Sequence, residues 1–293
     1  MFIQQIVNGL TIGSTYALIA IGFSMIFSIL ELINFANGSV YMVGAYVSLM
    51  FIGMLGTRYA VLAIILALIV NGAVGFILEK VALSGLRKKN APRLSALIST
   101  LGMAIFLDNF VLVTFGATSK SYPNLLDFGK YYIGDVIINS TQMIIFAVAC
   151  VMMGMLSYIV YFTKTGKSMS ATAQNLEAAR LMGININRII SLTFVISGVL
   201  AGISGAMYGM NYQVLETGIG ARIGVKVFAS AILGGVGSLP GAVVGGLSIG
   251  ILETMAAGYI SSGYRDSISF VVLITVLLIR PSGILGKKQI NKV

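Results

Sequence analysis

The sequence predicts an all-α protein, a polytopic membrane helix bundle of about eight spans with one cytoplasmic coupling helix. Hydrophobic residues make up 57% of the chain and charged residues only 10%, and the mean hydropathy is +0.97. Such a composition leaves too little polar surface for a water-soluble globule. Apolar runs also recur along the whole chain, so residues 1–293 are predicted to form a single transmembrane domain.

Eight apolar runs approach the ~20 residues that a helix needs to cross about 30 Å of hydrocarbon. They cover residues 6–30, 39–56, 60–82, 94–115, 140–162, 189–212, 225–258 and 267–280. The first run is predicted to be a span and not a cleaved signal peptide, because it lacks a basic start and a small-residue cleavage site. Glycines and Pro240 interrupt the seventh run, so it is either one broken helix or a half-helix followed by a full one.

The basic residues indicate the orientation of the chain. Three clusters lie between or after the apolar runs, and a fourth polar segment, residues 116–139, balances Lys120 and Lys130 against Asp127 and Asp135. The positive-inside rule places the three clusters and the C-terminus in the cytoplasm, and therefore the N-terminus outside. The clusters are Arg87, Lys88, Lys89 and Arg93; Lys164, Lys167, Arg180 and Arg188; and Arg280, Lys287, Lys288 and Lys292. The net charge of +10 is thus attributed to topology and not to nucleic-acid binding.

The chain has few of the residues that enzyme chemistry uses. It contains no histidine and one cysteine, Cys150, so a disulfide framework, a thiolate metal cluster and the usual general base are excluded. The glycine-rich residues 235–241 lack the lysine of a nucleotide-binding loop. We therefore expect no enzyme activity and no cofactor, and any ATP hydrolysis must occur on another polypeptide.

A polar island at residues 164–190 separates two long apolar runs. A helix is predicted over residues 168–182, with Gly183 as its C-terminal stop. Its apolar face would contain Ala171, Ala178, Leu181 and Met182. The functional interpretation is a cytoplasmic partner that binds this helix; the alternative is an ordinary loop helix.

Two irregular segments are candidates for a translocation path. The first contains Asn34, Phe35 and Asn37, and the second contains Gly234, Gly235 and Gly237. Broken helices at membrane depth line protein or water, and their ends offer backbone dipoles to a zwitterionic solute. The alternative for each is a loop at the membrane surface.

Isolated polar residues and glycines complete the pattern. Asp108 and Asn109 should face protein or water, with helix-to-helix hydrogen bonding favoured over proton coupling. Glu253, and Glu79 beside Lys80, are interpreted as interfacial anchors. Small-residue ridges are expected to let helices pack closely; they contain Gly198, Gly202, Gly205, Gly209, Gly241, Gly245, Gly246 and Gly250.

Five sequence blocks together resemble one transporter family. They are NGLTIGSTYAL at residues 8–18, INFANG at 33–38, GIN at 183–185, LGGVGSLPGA at 233–242 and PSGILG at 281–286. In this order they resemble the LivH-type permease of bacterial branched-chain amino acid ABC importers. The Glu-Ala-Ala and following Gly of the polar island separately resemble the coupling segment of ABC-transporter permeases, although Thr193 stands where that signature has proline. Asn37 stands where the LivH-type family has histidine.

The resemblance implies a subunit of the bacterial cytoplasmic membrane that imports branched-chain amino acids by alternating access. The implied partners are a second, LivM-type permease, two cytoplasmic ATPases and an extracytoplasmic amino-acid-binding protein. It also implies an ATPase-coupling role for Glu177, Ala178, Ala179, Arg180 and Gly183. The sequence leaves a homodimer or a heterodimer of permeases open.

Two other functions remain compatible with the sequence. An ion-gradient-driven carrier would use Asp108, Glu31 or Glu253 as its coupling group and would need no ATPase. A non-transporting membrane scaffold would move no solute even when its partners were supplied.

Overall fold

The computed structural model describes residues 1–89, 91–125, 129–134, 136–280 and 282–286, and in them the chain is a helical bundle, as predicted. The α-helices are α1 Phe2–Leu30, α2 Asn37–Leu55, α3 Ala60–Leu78, α4 Gly85–Lys88, α5 Arg93–Phe115, α6 Ser140–Phe162, α7 Lys164–Gln174, α8 Leu176–Leu181, α9 Ile186–Tyr212, α10 Ile219–Gly234, α11 Leu239–Tyr259 and α12 Arg265–Ile279. A π-helical segment, Glu79–Ser84, joins α3 to α4, and 3₁₀ turns cover Thr57–Tyr59 and Ser262–Tyr264.

Four short strands are present in the described residues. They are β1 Lys120–Ser121, β2 Lys130–Ile133, β3 Val136–Asn139 and β4 Val214–Leu215. Strand β1 pairs antiparallel with β4, and β2 pairs antiparallel with β3. These pairs fold the segment between α5 and α6 back onto the end of the bundle.

Eight helical segments within the described residues are long and apolar enough to cross a membrane, which confirms the expected number. The seventh run contains two helices, so the alternative of a half-helix followed by a full helix is correct. The half-helix is α10, with 16 residues, and it begins at Ile219 and not at residue 225. Ser238 starts α11 as its N-cap, accepting a hydrogen bond from the Gly241 amide at 3.1 Å, with Pro240 in the first turn.

Helix α1 forms the centre of the bundle. In its most apolar stretch of 18 residues, 89% of the residues are buried inside the protein. The corresponding share for the segment Ser262–Ile279, which contains α12, is 6%. Glycines explain how α1 approaches α11 so closely: a β-carbon on Gly13 would lie 2.8 Å from the Leu247 Cα, and one on Gly246 would clash with the backbone of Ala17. Such close approach supplies the packing energy that lipid cannot supply through the hydrophobic effect.

The glycines of α9 form a second close interface, with α2 and α3. The Asn71 side chain of α3 donates a hydrogen bond to the Gly198 carbonyl at 2.7 Å. A β-carbon on Gly202 would lie 2.9 Å from the Asn71 side chain, and one on Gly205 would clash with the backbone of Tyr41. The predicted close packing at these small-residue ridges is therefore confirmed.

The bundle has two ends. We call the end that carries residues 163–185 the island face, and the other end, where α1 begins, the opposite face. On the island face, Arg93 pairs with Glu31 at 2.5 Å. On the opposite face, the Gln4 side chain donates to the Ile137 carbonyl at 2.9 Å. Burial raises the pKa of Tyr122 in the segment after α5 to about 12, so its hydroxyl, 3.1 Å from Ser48 Oγ, stays protonated at neutral pH.

Some residues of the topology argument lie outside the described residues. They are Asp127, Asp135, Lys287, Lys288 and Lys292, together with Pro281 of the PSGILG block. The assignment of the two faces to the cytoplasm and the exterior therefore stays a prediction.

Candidate functional site

The polar island folds into two helices, so the single helix expected over residues 168–182 is wrong. Helix α7 ends at Gln174, and Asn175 is extended, with φ −159° and ψ 112°. The physical reason is side-chain capping: the Asn175 Oδ1 accepts hydrogen bonds from the amides of Glu177 and Ala178 at 2.9 and 3.0 Å. Asparagine favours this N-cap geometry over the interior of a helix.

Helix α8 is therefore a separate short helix, which contacts the bundle through one side only. The side chains of Glu177, Ala178 and Arg180 are exposed, whereas Ala179 is buried and faces inward. The expected apolar face does not pack on the bundle, since Leu181 is 88% and Met182 is 83% exposed. The segment from residue 176 to residue 183, which we call the α8 tip, thus presents apolar and charged side chains together.

Gly183 reverses the chain after the α8 tip. Its φ is +82°, a left-handed conformation that L side chains rarely adopt. The Gly183 amide donates to the Arg180 carbonyl at 3.0 Å, and the Ile184 amide donates to the Ala179 carbonyl at 3.1 Å. These bonds fasten the end of α8, and Asn185 then caps α9 by accepting from the Arg188 amide at 3.2 Å.

The first candidate path segment is a packed connection between α1 and α2. Asn34 is buried, and its Oδ1 accepts from the Ala36 amide at 3.1 Å. Asn37, also buried, begins α2 and accepts from Ser197 Oγ at 3.1 Å through its Oδ1. Its Nδ2 lies 3.5 Å from the Ile19 carbonyl, in the interior of α1. Helix α2 therefore starts deep inside the bundle and not at its surface.

The second candidate segment is a tight turn after α10. Gly235 and Gly237 have φ of +105° and +84°. A β-carbon on Gly234 would clash with the backbone of Gly241, which brings the end of α10 against the start of α11. The C-terminal segment closes over this turn, because the Ile284 and Leu285 amides donate to the carbonyls of Leu233 and Gly234 at 2.8 and 3.0 Å.

Helix α10 connects the two candidate segments. The Phe35 ring lies 6.5 Å from the Phe228 ring at the middle of α10. Gly38 packs against Gly220 near the start of the same helix, and Gly237 follows its end. The two segments thus contact one short helix, which the structure places between α1, α2 and α11.

Glu31 and Asp108, two of the carboxylates that an ion-driven carrier would use, lie in different surroundings. Glu31 is more than half exposed and pairs with Arg93 on the island face. Asp108 of α5 lies beside Gly220, and its Oδ1 has no hydrogen-bond partner among the described residues. Asn109 is exposed and bonds only to the Ile105 carbonyl of its own helix, at 2.8 Å. The expected helix-to-helix hydrogen bond is therefore not made by Asn109.

The interpretation of Glu79 as an interfacial anchor is wrong. Its side chain is fully buried, and it accepts hydrogen bonds from Arg87 at 2.8 Å and from Ser191 at 2.9 Å. Lys80 lies 3.3 Å away. Arg87 also donates to the Asn187 side chain at 3.0 Å, so the group connects the π-helical segment to the start of α9, next to the polar island.

The same correction applies to Glu253, which forms part of a charged cluster that the sequence analysis missed. We call Lys226, Glu253, Arg265 and Asp266 the charged cluster. The Lys226 Nζ lies 2.9 Å from Glu253 Oε1, 2.7 Å from Asp266 Oδ1 and 3.3 Å from the Tyr16 hydroxyl. Lys226 is 7% and Glu253 1% exposed, whereas Asp266 is 51% exposed, so the cluster joins α10, α11 and α12 from a buried centre to an exposed edge. A lysine within an apolar run was the signal that could have revealed it.

A cavity of about 190 Å³ adjoins the charged cluster. Ser262 and Gly263 form part of its wall, so it lies toward the opposite face. The charged cluster contributes to the lining, and the remaining lining residues are Tyr16, Tyr208, Tyr212, Ile219, Arg222 and Ile223. A pocket with both charge signs and an apolar wall suits a small amphipathic solute.

Comparison with known proteins places the chain in a family. Residues 5–277 match the family described as "Branched-chain amino acid transport system / permease component". The chain is 42% identical to the high-affinity branched-chain amino acid transport system permease protein LivH of Salmonella typhimurium, over 100% of this chain and 98% of that protein. It is 43% identical, with the same coverage, to the permease protein BraD of Pseudomonas aeruginosa.

A third relative is less similar but is also matched over nearly its full length. The chain is 30% identical to the probable branched-chain amino acid transport permease protein LivH of Methanocaldococcus jannaschii, over 97% of this chain and 92% of that protein. The chain belongs to the branched-chain amino acid transport system permease family.

Proposed function

We propose that this chain is the permease subunit of an ATP-driven ABC importer for branched-chain amino acids. The observation that carries the proposal is full-length similarity, at 42–43% identity, to permeases that are named for this transport. The chain acts as a single transmembrane domain in a bacterial cytoplasmic membrane, with the N-terminus outside and the island face in the cytoplasm. The basic residues on the island face support this orientation.

The partners are a second, LivM-type permease, two cytoplasmic ATPases and an extracytoplasmic amino-acid-binding protein. The α8 tip is the ATPase-docking element. Exposed Leu181 and Met182 suit an apolar groove, and Glu177 and Arg180 beside them can form polar contacts at its rim. Ala178 allows close approach, while buried Ala179 holds α8 against the bundle.

Motion at the α8 tip reaches the core through neighbouring helices. Helix α7 packs against α1, α6 and α9, and α8 packs against α9. When ATP closes the ATPase dimer, displacement of the tip shifts these helices relative to α10. The segments with Asn34, Phe35 and Asn37 and with Gly234, Gly235 and Gly237 then move as the walls of the translocation path. Glycine contacts without interlocking side chains allow such sliding.

Affinity purification of this chain from its native membrane tests the assembly directly. We expect a second permease and two nucleotide-binding subunits to co-purify. An α8-tip variant with Leu181→Glu and Met182→Glu should lose the ATPases but keep the second permease, because it changes only exposed side chains. A matched variant, Tyr131→Glu with Tyr132→Glu, changes two exposed side chains of β2, outside the spans and far from the tip, and should keep the second permease and the ATPases. Recovery of the chain alone, or retention of ATPases by the tip variant, would contradict the proposal.

A further inference from the structure

The cavity beside the charged cluster contains buried groups whose hydrogen-bonding capacity is unused. Glu253 is 1% exposed, yet its Oε2 has no hydrogen-bond partner among the described residues. Arg265 Nε lies 2.8 Å from Glu253 Oε1, but it also lacks hydrogen-bond geometry. An unpaired buried carboxylate oxygen is costly, so its retention needs a reason beyond fold stability.

The unused groups have opposite charge. The Glu253 Oε2 can accept hydrogen bonds from an ammonium group. The Arg265 side chain is 31% exposed, and its Nη groups form no hydrogen bond to the residues that the structure describes, so they are available to a carboxylate. Guanidinium groups bind carboxylates through two parallel hydrogen bonds. The carboxylate of Glu253 and the guanidinium of Arg265 thus complement the ammonium and carboxylate groups of an α-amino acid.

The rest of the cavity wall fits an aliphatic side chain. Ile219 and Ile223 of α10 line it together with the ring of Tyr208. Ile219 and Ile223 lie on the same helix as Lys226 and line the same cavity as the charged cluster, so one ligand can contact both. A solute with a zwitterionic head and a branched aliphatic tail would contact the charged groups with its head and the apolar wall with its tail.

We propose that this cavity is a binding site for a zwitterionic aliphatic α-amino acid. Glu253 Oε2 accepts from the ammonium group, the Arg265 guanidinium binds the carboxylate, and Ile219 and Ile223 contact the side chain. Lys226 is the positioning residue, because its contacts to Glu253 Oε1 and Asp266 fix both carboxylates and leave Oε2 without a partner among the described residues. The site deepens the proposed import function, on which it rests, and gives the permease a substrate contact of its own near the exterior.

Ligand binding to the purified complex, without the binding protein, tests this site. Isothermal titration in lipid nanodiscs would use L-leucine, leucinamide, which lacks the carboxylate, and 4-methylpentanoate, which lacks the ammonium group. We expect L-leucine alone to bind measurably. Glu253→Gln and Arg265→Gln should each weaken L-leucine about tenfold or more, since each removes a charge-assisted hydrogen bond.

Two further variants separate binding from folding. Glu31→Gln changes a carboxylate that is 53% exposed and paired with Arg93 on the island face, away from the cavity, and it should leave L-leucine affinity within about twofold. Arg265→Lys keeps the positive charge but loses the bidentate fork, so it should assemble normally and still bind L-leucine more weakly. Assembly is checked for every variant by size-exclusion chromatography with the partner subunits.

The outcomes distinguish the site from the overall function. Absence of L-leucine binding to an intact complex that still imports leucine with ATP and the binding protein would overturn the site alone. Equal binding of leucinamide, or unchanged affinity in Glu253→Gln and Arg265→Lys, would do the same. Failure of the wild-type complex to import leucine would instead overturn the proposed function.

Discussion

Replacing Gly183 by valine should uncouple ATP hydrolysis from uptake. Gly183 has φ +82°, and a β-carbon there would meet nothing within 4 Å. The perturbation is therefore backbone strain without a steric clash. A left-handed conformation costs an L residue about 1–2 kcal/mol, and a β-branched residue lies at the upper end. Such a cost lowers the population of the native turn by a factor of about 5–30.

Loss of the native turn would displace the α8 tip, because hydrogen bonds from the Gly183 and Ile184 amides hold the end of α8 in place. With the turn displaced, the tip no longer holds Leu181 and Met182 in one orientation toward the ATPase. In a reconstituted complex, we expect leucine uptake per ATP hydrolysed to fall about fivefold or more. The assay measures uptake and phosphate release in the same proteoliposomes.

Two control variants isolate the cause. Gly183→Asn should retain most coupling, since asparagine tolerates the left-handed region. Gly116→Val also introduces backbone strain, at φ +84° and ψ 170°, in open surroundings on the opposite face, and should leave the uptake-to-hydrolysis ratio unchanged. An unchanged ratio in Gly183→Val, or an equal loss in Gly116→Val, would refute the coupling role of this turn.

Three further predictions follow from the packing and the buried charges. Lys226→Met leaves Glu253 without its ammonium partner and should destabilise the protein by about 3 kcal/mol, measured as a lower Tm in detergent; an unchanged Tm would contradict the account. Gly246→Leu should prevent assembly because Ala17 occupies the space, whereas Gly154→Leu, which meets nothing within 4 Å, should assemble in normal yield; equal yields would show that the α1–α11 contact is dispensable. Asp108→Asn should leave ATP-dependent uptake within about twofold of the wild-type rate. If Asp108→Asn abolished uptake, and wild-type uptake were unaffected by ATP depletion, an ion-driven carrier would be favoured.

The number of spans could be predicted from the sequence because the signal is strong and local. An apolar run of about 20 residues has few alternatives in a chain with this composition. The glycine ridges were also predictable, since small residues four apart on a helix let another backbone approach. The break at Asn175 was missed because periodicity alone continued through it, whereas the side chain of Asn175 caps α8 locally.

Other features depend on contacts between distant residues. Glu253 lies near the end of an apolar run, a position typical of an interfacial anchor, and only the fold brings Lys226 and Arg265 to it. The turn containing Gly234 and Gly235 was identified as a candidate path segment, but the sequence did not indicate that the C-terminal segment hydrogen-bonds to the end of α10 beside it. Sequence reasoning identified the irregular segments and could not say which neighbours would cover them.

The most direct test of the central claim is leucine uptake into proteoliposomes that contain this chain with its second permease and ATPases. ATP, the binding protein and an ion gradient would each be supplied or withheld separately. The account predicts uptake only when ATP and the binding protein are both present, with no dependence on a sodium or proton gradient. Uptake driven by an ion gradient in the absence of ATP would contradict it.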